Sequence, residues 1–345
     1  MHVPYRQSLR QSLRQALTRR DLHTLFAATV AALALPGPAQ AAPAGSPTTP
    51  GQPKLDPAAF AAARAGFRTQ LHMPVDPANR VALVPPRSRA FRSEPYPSDV
   101  GQLAGLITPD PKDGQRHPAI IWITGGDSST VSGETLSDPV PRSNDQNATA
   151  YPKAGVVTYF PSLRGGNLNP GRGEGFLGEV DDIIAAARHL ATLPYVDPAR
   201  IYLGGHSTGG TLVMLAAEAS PVFRASFAFG PVTSPERYPD GLAPPGLDKA
   251  SEAERMLRAP WHWLPSVASR LLVIEGEGGN IGELRAMQRI NRNPRVTFHE
   301  VKGADHFSVL APINDLIARK ILADTQAAGG ITITAAELQA AFNAR

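Results

Sequence analysis

The sequence predicts an α/β fold: a mostly parallel sheet covered by helices on both faces, with a short insertion over the carboxyl edge of the strands. Three observations carry this. Short, continuous apolar runs recur along the chain, "AIIWIT" (119–124), "VVTYFPS" (156–162), "RIYLGG" (200–205), "RASFAFG" (224–230), "RLLVIEG" (270–276) and "RVTFHEV" (295–301), and strands buried on both faces read this way. Between the runs lie segments of helical spacing. Finally, strand and helix alternate in the order that a parallel sheet requires.

The elements follow in sequence. "AAFAAARAGFRTQL" (58–71) reads as a short helix, 72–95 is Pro-interrupted and weakly patterned, and "QLAGLITP" (102–109) suits an early antiparallel strand. Val180, Ile183, Ile184, Ala187 and Leu190 fall on one helical face that Pro194 ends. "TLVMLAAEA" (211–219), "IGELRAMQRI" (281–290) and "PINDLIARKILADT" (312–325) read as further helices. Residues 231–266 break the alternation with a Pro-rich loop, a helical stretch Lys249–Leu257 and "WHWLP", which marks an insertion where open α/β sheets place their ligands.

The ends of the chain have a different logic. Arg19-Arg20 precede the apolar run "LFAATVAALAL" (25–35) and "PGPAQA", in which Ala39 and Ala41 form a small-x-small cleavage pattern. Residues 1–41 therefore read as an export leader of the twin-arginine kind, and the protein as periplasmic or secreted. The apolar run is much shorter than the roughly 20 residues of a spanning helix, so no stable membrane anchor is expected. A Pro/Gly/Ser/Thr-rich linker follows (42–58), then an N-terminal extension (59–95), the main domain (96–325) and a tail (326–345) whose docking the sequence leaves open.

The formal charge of +4 over 345 residues sits in the leader, which holds five arginines against one aspartate. The remainder is balanced at 29 basic and 29 acidic residues, and a surface without net field gives no reason to expect a nucleic-acid partner. The chain has no cysteine, which excludes disulfides, thiolate nucleophiles and cysteine-ligated metal.

Gly205-His206-Ser207-Thr208-Gly209 is a G-x-S-x-G sequence set between a strand and a helix, the context in which that pattern presents a serine as nucleophile. The helix amino terminus behind Ser207 favours negative charge on its oxygen. Of nine histidines, His306 in "KGADHFSVL" is best placed as general base, because it follows the last strand. His2 and His23 fall in the leader, His206 inside the bend, His262 in the insertion and His299 within a strand. An oxyanion needs backbone donors, and the candidates are the N–H groups of Thr208 and of Gly126, in the loop after the first buried strand.

On these residues the chain resembles the α/β-hydrolase superfamily, and within it the prolyl oligopeptidase-like and dienelactone hydrolase-like members. The resemblance spans about Pro97–Thr325 and rests on "HPAIIWITGG", "PSLRGGN", "PYVDPARIYLGGHSTGG" and "GADHFSVL". It implies a serine hydrolase without cofactor or metal, with Ser207 as nucleophile and His306 as base, and with Arg164 bracing the site through an ion pair. Its motifs are poor guides to substrate.

One feature departs from the pattern. Such enzymes usually carry an aspartate three residues after the glycine that closes the penultimate strand, and here that place is Gly279. Glu275, at the end of an apolar strand where an unpaired charge is costly, is the favoured substitute. Glu277, Glu236 and Asp240 are alternatives; Asn280 would orient the imidazole without charge, and Asp305 is expected to shape its own loop. Ester cleavage ranks first, because it asks less of leaving-group protonation. Peptidase action on short peptides ranks second, since 42–95 are too few residues for a gating propeller. A noncatalytic protein binding an apolar ligand under Trp261 and Trp263 is a third reading, motivated by Gly279. Oligomeric state is not legible.

Overall fold

A computed structural model describes residues 55–74, 77–137, 140–239, 241–325 and 330–344. The expected leader, most of the linker and Asp240 lie outside the described residues. Strands β1 (Arg92–Ser93), β2 (Tyr96–Ser98), β3 (Gly101–Leu103), β4 (Gly105–Ile107), β5 (His117–Ile123), β6 (Val157–Pro161), β7 (Val196–His206), β8 (Ala225–Phe229), β9 (Arg270–Gly276) and β10 (Val296–Val301) occur in that order. Eight of them form one sheet, ordered β1-β4-β6-β5-β7-β8-β9-β10, while β2 and β3 make a separate hairpin. From β6 to β10 every pairing is parallel, and β1 and β4 close one edge antiparallel.

The apolar runs are continuous because both faces of the sheet are covered. Along β5, Ile121 and Ile123 enter one buried cluster with Leu203, Val213 and Val273, while Ile120 and Trp122 enter the other with Tyr202, Phe227 and Ile274. The first face is roofed by two helices, one spanning Gly178–Leu190 and one Thr208–Ala219, and the second by a helix spanning Leu310–Ala323. Each buried Leu or Ile side chain in such a layer contributes about 1.5–3 kcal/mol.

The structure departs from the sequence reading at several elements and decides one point that the sequence leaves open. The helix expected over 58–71 ends at Arg64, and Gly66 then turns the chain with φ +77°. The strand expected over 102–109 is split between β3 and β4, so that its first half pairs in the hairpin and its second in the main sheet. Strand β7 begins at Val196, four residues before the apolar run, because His117 pairs with Val196 ahead of a bulge. The tail docks: a helix over Ala335–Asn343, started by a Thr334/Glu337 capping box, buries Leu338 and Phe342 beside Val301 and Ile317.

Glu218, in the Thr208–Ala219 helix, is fully buried, and among the described residues neither of its carboxylate oxygens has a hydrogen-bond partner. Burial pushes its carboxyl well above the usual 4.5, so the fold holds it neutral. A raised folded-state value contributes stability that is complete below the unfolded value and lost as pH rises above it. Glu218→Met should therefore raise the thermal midpoint by several degrees at pH 8 and by less at pH 5. Calorimetry at the two pH values tests this, and an equal shift at both would refute it.

Candidate active site

Ser207 is the hinge between β7 and the helix at Thr208. Its backbone sits at φ 56°, ψ −117°, a conformation that costs a non-glycine residue about 1–3 kcal/mol and persists only where neighbours enforce it. Two backbone hydrogen bonds do so: Ser207 N–H donates to Phe229 O at 2.8 Å, and Thr211 N–H donates to Ser207 O at 3.0 Å. The turn leaves Ser207 at the carboxyl end of the central strand, 9% exposed.

His306 stands on the loop after β10. Its Nδ1 lies 2.9 Å from Glu275 Oε2, with the His306 side chain 19% exposed and that of Glu275 fully buried. A carboxylate only accepts, so Nδ1 carries the proton and Nε2 presents a lone pair. The rest of the Glu275 carboxylate is solvated by the backbone: Gly276 N–H donates to Oε1 at 2.7 Å and Asn280 N–H to Oε2 at 2.8 Å.

The departure at Gly279 has a steric explanation. A Cβ added there would sit 2.5 Å from Glu275 Cδ and 2.8 Å from its Oε2. The carboxylate of Glu275 therefore fills the space that a side chain at 279 would need, approaching from the strand end instead of the loop. The reading of a noncatalytic protein loses its motive, since an acid does face His306.

The other candidates are placed elsewhere. Glu277 Oε2 accepts from Gly303 N–H at 3.0 Å, tying two loops together. Glu236 pairs with Arg255 at 3.7 Å. Asp305 accepts from the N–H groups of Phe307 and Ser308, shaping its own loop. Asn280 contributes more than its N–H: its side chain donates to Gly230 O at 3.0 Å.

Among the described residues, Ser207 Oγ makes no hydrogen bond, and Ser207 and His306 meet through the Phe229–Gly230 peptide. Phe229 O holds Ser207, and Gly230 is so close that a Cβ on it would lie 2.7 Å from His306 Nδ1. Nucleophile–base hydrogen bonds are often long in unliganded enzymes and tighten with substrate.

The two oxyanion candidates come together as well. Thr208 Oγ1 donates to Gly126 O at 2.9 Å, and both residues line a cavity of about 280 Å³ with Ser128, Phe176 and Leu242. Arg164 also lines it, buried and paired through Nε and Nη2 with both oxygens of Asp182 at 2.9 Å, and further with Asp99 and Glu174. Leu242 brings the insertion to this cavity. Trp263 does not face it: its ring packs 4.9 Å from that of Phe60 and its Nε1 donates to Met256 O, so it anchors the N-terminal extension. A larger cavity of about 430 Å³, lined by Arg224, Arg270 and Arg295, opens at the amino ends of β8–β10, the opposite end of the sheet from Ser207.

Sheet order, the strained serine at the end of one strand and the histidine–carboxylate pair at the ends of two others define an α/β-hydrolase fold. Residues 142–278, a stretch that includes Ser207 and Glu275, match the model of the prolyl oligopeptidase family. A probable dipeptidyl-aminopeptidase B of Metarhizium robertsii is 42% identical over 78 residues, which is 18% of this chain and 8% of that protein. The chain thus matches less than a tenth of that relative's length. Among solved structures, the acylaminoacyl peptidase of Pyrococcus horikoshii superposes with a TM-score of 0.56 at 16% identity, over 72% of this chain and 44% of that one. A 2,6-dihydroxy-pseudo-oxynicotine hydrolase superposes equally well, with a TM-score of 0.56 at 14% identity over 72% and 71%. At such identities the likeness shows the fold.

Glu275→Gln should slow fluorophosphonate labelling of Ser207 by about 100-fold or more, and Glu277→Gln by no more than about twofold. Gly279→Ala, which displaces the carboxylate, should slow it by about tenfold or more. Labelling rates followed by mass spectrometry test the set, and similar rates for all three variants would remove Glu275 from the site.

Proposed function

We propose that the protein is a serine peptidase of prolyl oligopeptidase type, acting on short peptides or aminoacyl amides. The observation that carries this reading is the strained backbone at Ser207, φ 56° at a strand–helix bend, held beside the His306–Glu275 pair. Backbone strain of this kind collects where a reactive group has to be presented.

The chemistry follows from the placement of the groups. His306 Nε2 takes the hydroxyl proton of Ser207 as Oγ attacks the carbonyl carbon, and the Glu275 carboxylate offsets the positive charge that forms on the imidazole. The N–H groups of Gly126 and Thr208 receive the oxyanion of the tetrahedral intermediate. His306 then returns the proton to the leaving amine, the C–N bond breaks, and an acyl ester remains on Ser207. Water, deprotonated by the same imidazole, hydrolyses that ester and regenerates the serine.

The family match favours peptide substrates over esters, which reverses the order that leaving-group chemistry alone suggests. Esters remain a second class for the same machinery, because an alkoxide departs with less need of a proton than an amine does. Export by the N-terminal 41 residues belongs to the proposal too, and rests on the leader pattern alone; N-terminal sequencing of protein from the periplasm or culture medium tests it.

The full chain should hydrolyse aminoacyl-naphthylamides and short peptide amides, and Ser207→Ala should abolish both this and fluorophosphonate labelling. Turnover of p-nitrophenyl esters without turnover of any amide would make the protein an esterase. Wild-type protein that neither labels nor turns over either class would end the reading.

A further inference from the structure

His206 precedes the nucleophile and is completely buried, yet the catalytic scheme gives it no task. Both of its ring nitrogens are engaged. Nε2 lies 2.8 Å from the main-chain carbonyl oxygen of His306, and Nδ1 lies 3.0 Å from the side-chain amide of Gln146. The ring packs 4.4 Å from that of His306 and 5.4 Å from that of Phe307.

The tautomer follows from the partners. A carbonyl oxygen only accepts, so Nε2 must carry a proton; the opposite tautomer would set two lone pairs against each other at 2.8 Å. Burial first, and then the neighbouring His306, hold the ring well below its usual 6.5, so Nδ1 is unprotonated at neutral pH and needs a donor. The Gln146 amide, whose Oε1 is placed 3.0 Å from Nδ1, supplies that donor with its two ends exchanged, so that its NH2 meets Nδ1; the ends of an amide are assigned by their network.

The contact matters because of where His306 stands. Asp305 and Ser308 fix the loop's own shape, with Asp305 N–H donating to Ser308 Oγ at 2.9 Å. Glu275 orients the imidazole but not the main chain that carries it. Towards the serine, the backbone of residue 306 is tied by His206, whose own backbone is bonded directly to Ser207. One hydrogen bond thus sets the spacing between the two reacting side chains from behind.

We propose that His206, oriented by Gln146, is a positioning residue that fixes the backbone of His306 relative to Ser207. This rests on the catalytic reading of Ser207 and His306. Gln146 lies in the segment between the Gly133–Ser137 helix and the Ala150–Ala154 helix, and its backbone oxygen accepts from Trp122 Nε1 at 3.0 Å. The relay thereby connects that segment to the base.

The test is steady-state kinetics of the full chain on p-nitrophenyl acetate and an aminoacyl-naphthylamide. Misplacing a catalytic group by about 1 Å costs on the order of 100-fold, so His206→Phe, which keeps a ring and loses the N–H, should lower kcat about 10- to 100-fold with KM within about twofold. His206→Gln, which restores an N–H donor, should recover most of that loss, and Gln146→Leu should lower kcat about 3- to 10-fold. The downfield proton signal of His306 Nδ1–H should shift in His206→Phe and return in His206→Gln. Wild-type kcat in His206→Phe, or a Gln variant as slow as the Phe variant at equal thermal stability, would overturn the proposal. If His206→Phe does not fold, an unchanged kcat in Gln146→Leu overturns it instead. Wild-type protein without turnover or labelling fails the catalytic reading itself, an outcome separate from these.

Discussion

A carboxylate withdrawn from water has to be surrounded by donors, and the arrangement around Glu275 is organised by that requirement. Two backbone N–H groups and one imidazole N–H converge on it. Gly279 leaves room for the carboxylate, Gly230 leaves room for the ring beside it, and Asn280 ties the two loops by bonding Gly230 O. Losing any of the three donors would leave a buried charge short of a partner, and filling either glycine would push the carboxylate or the ring aside, so the positions of β8, β9 and the loops that follow them are set together.

The same logic operates at the other end of the site. Arg164 is buried among Asp99, Glu174 and Asp182, and its pairing with both oxygens of Asp182 joins the loop after β6 to the Gly178–Leu190 helix. Gly126 and Thr208 are joined by a side-chain hydrogen bond that keeps the loop after β5 against the amino end of the Thr208–Ala219 helix. The groups proposed to act on substrate thus hang from strand ends, and buried polar contacts hold the connecting loops in register with them. Rigidity of this kind is what oxyanion stabilisation demands, since its donors must be in place before charge develops.

The strands from β5 to β10 were legible because burial on both faces writes itself into continuous apolar runs, and the longer helices between them because their apolar residues recur at helical spacing; the short helices Gly133–Ser137 and Ala150–Ala154 left no such pattern. Ser207 was legible because a five-residue pattern fell where a strand meets a helix. Thr334 and Glu337 carried a capping signal in the tail, yet docking of that helix depends on Leu338 and Phe342 meeting residues of β10 and the Leu310–Ala323 helix, a tertiary fact absent from local spacing. The split between β3 and β4 escaped notice for a similar reason, since one short segment serves two different partners. Trp263 invited a ligand because aromatic residues look alike in sequence whether they stack on a substrate or on Phe60. The role of His206 was hidden by the pattern around it: as the variable residue of a motif it reads as filler, and only its two neighbours across the fold reveal that both nitrogens are committed.

Placing the acid on the last turn of a strand instead of four residues later changes which parts of the molecule are free to drift. The main chain of β9 is clamped between two parallel neighbours, so an acid at its end inherits the stiffness of the whole sheet. The bend that follows no longer has to hold the carboxylate that faces His306, although Gly279 must stay small and the Asn280 side chain still bonds Gly230 O. Glu277, exposed in that bend, is where the surface can be remodelled around incoming molecules without detuning the groups beneath.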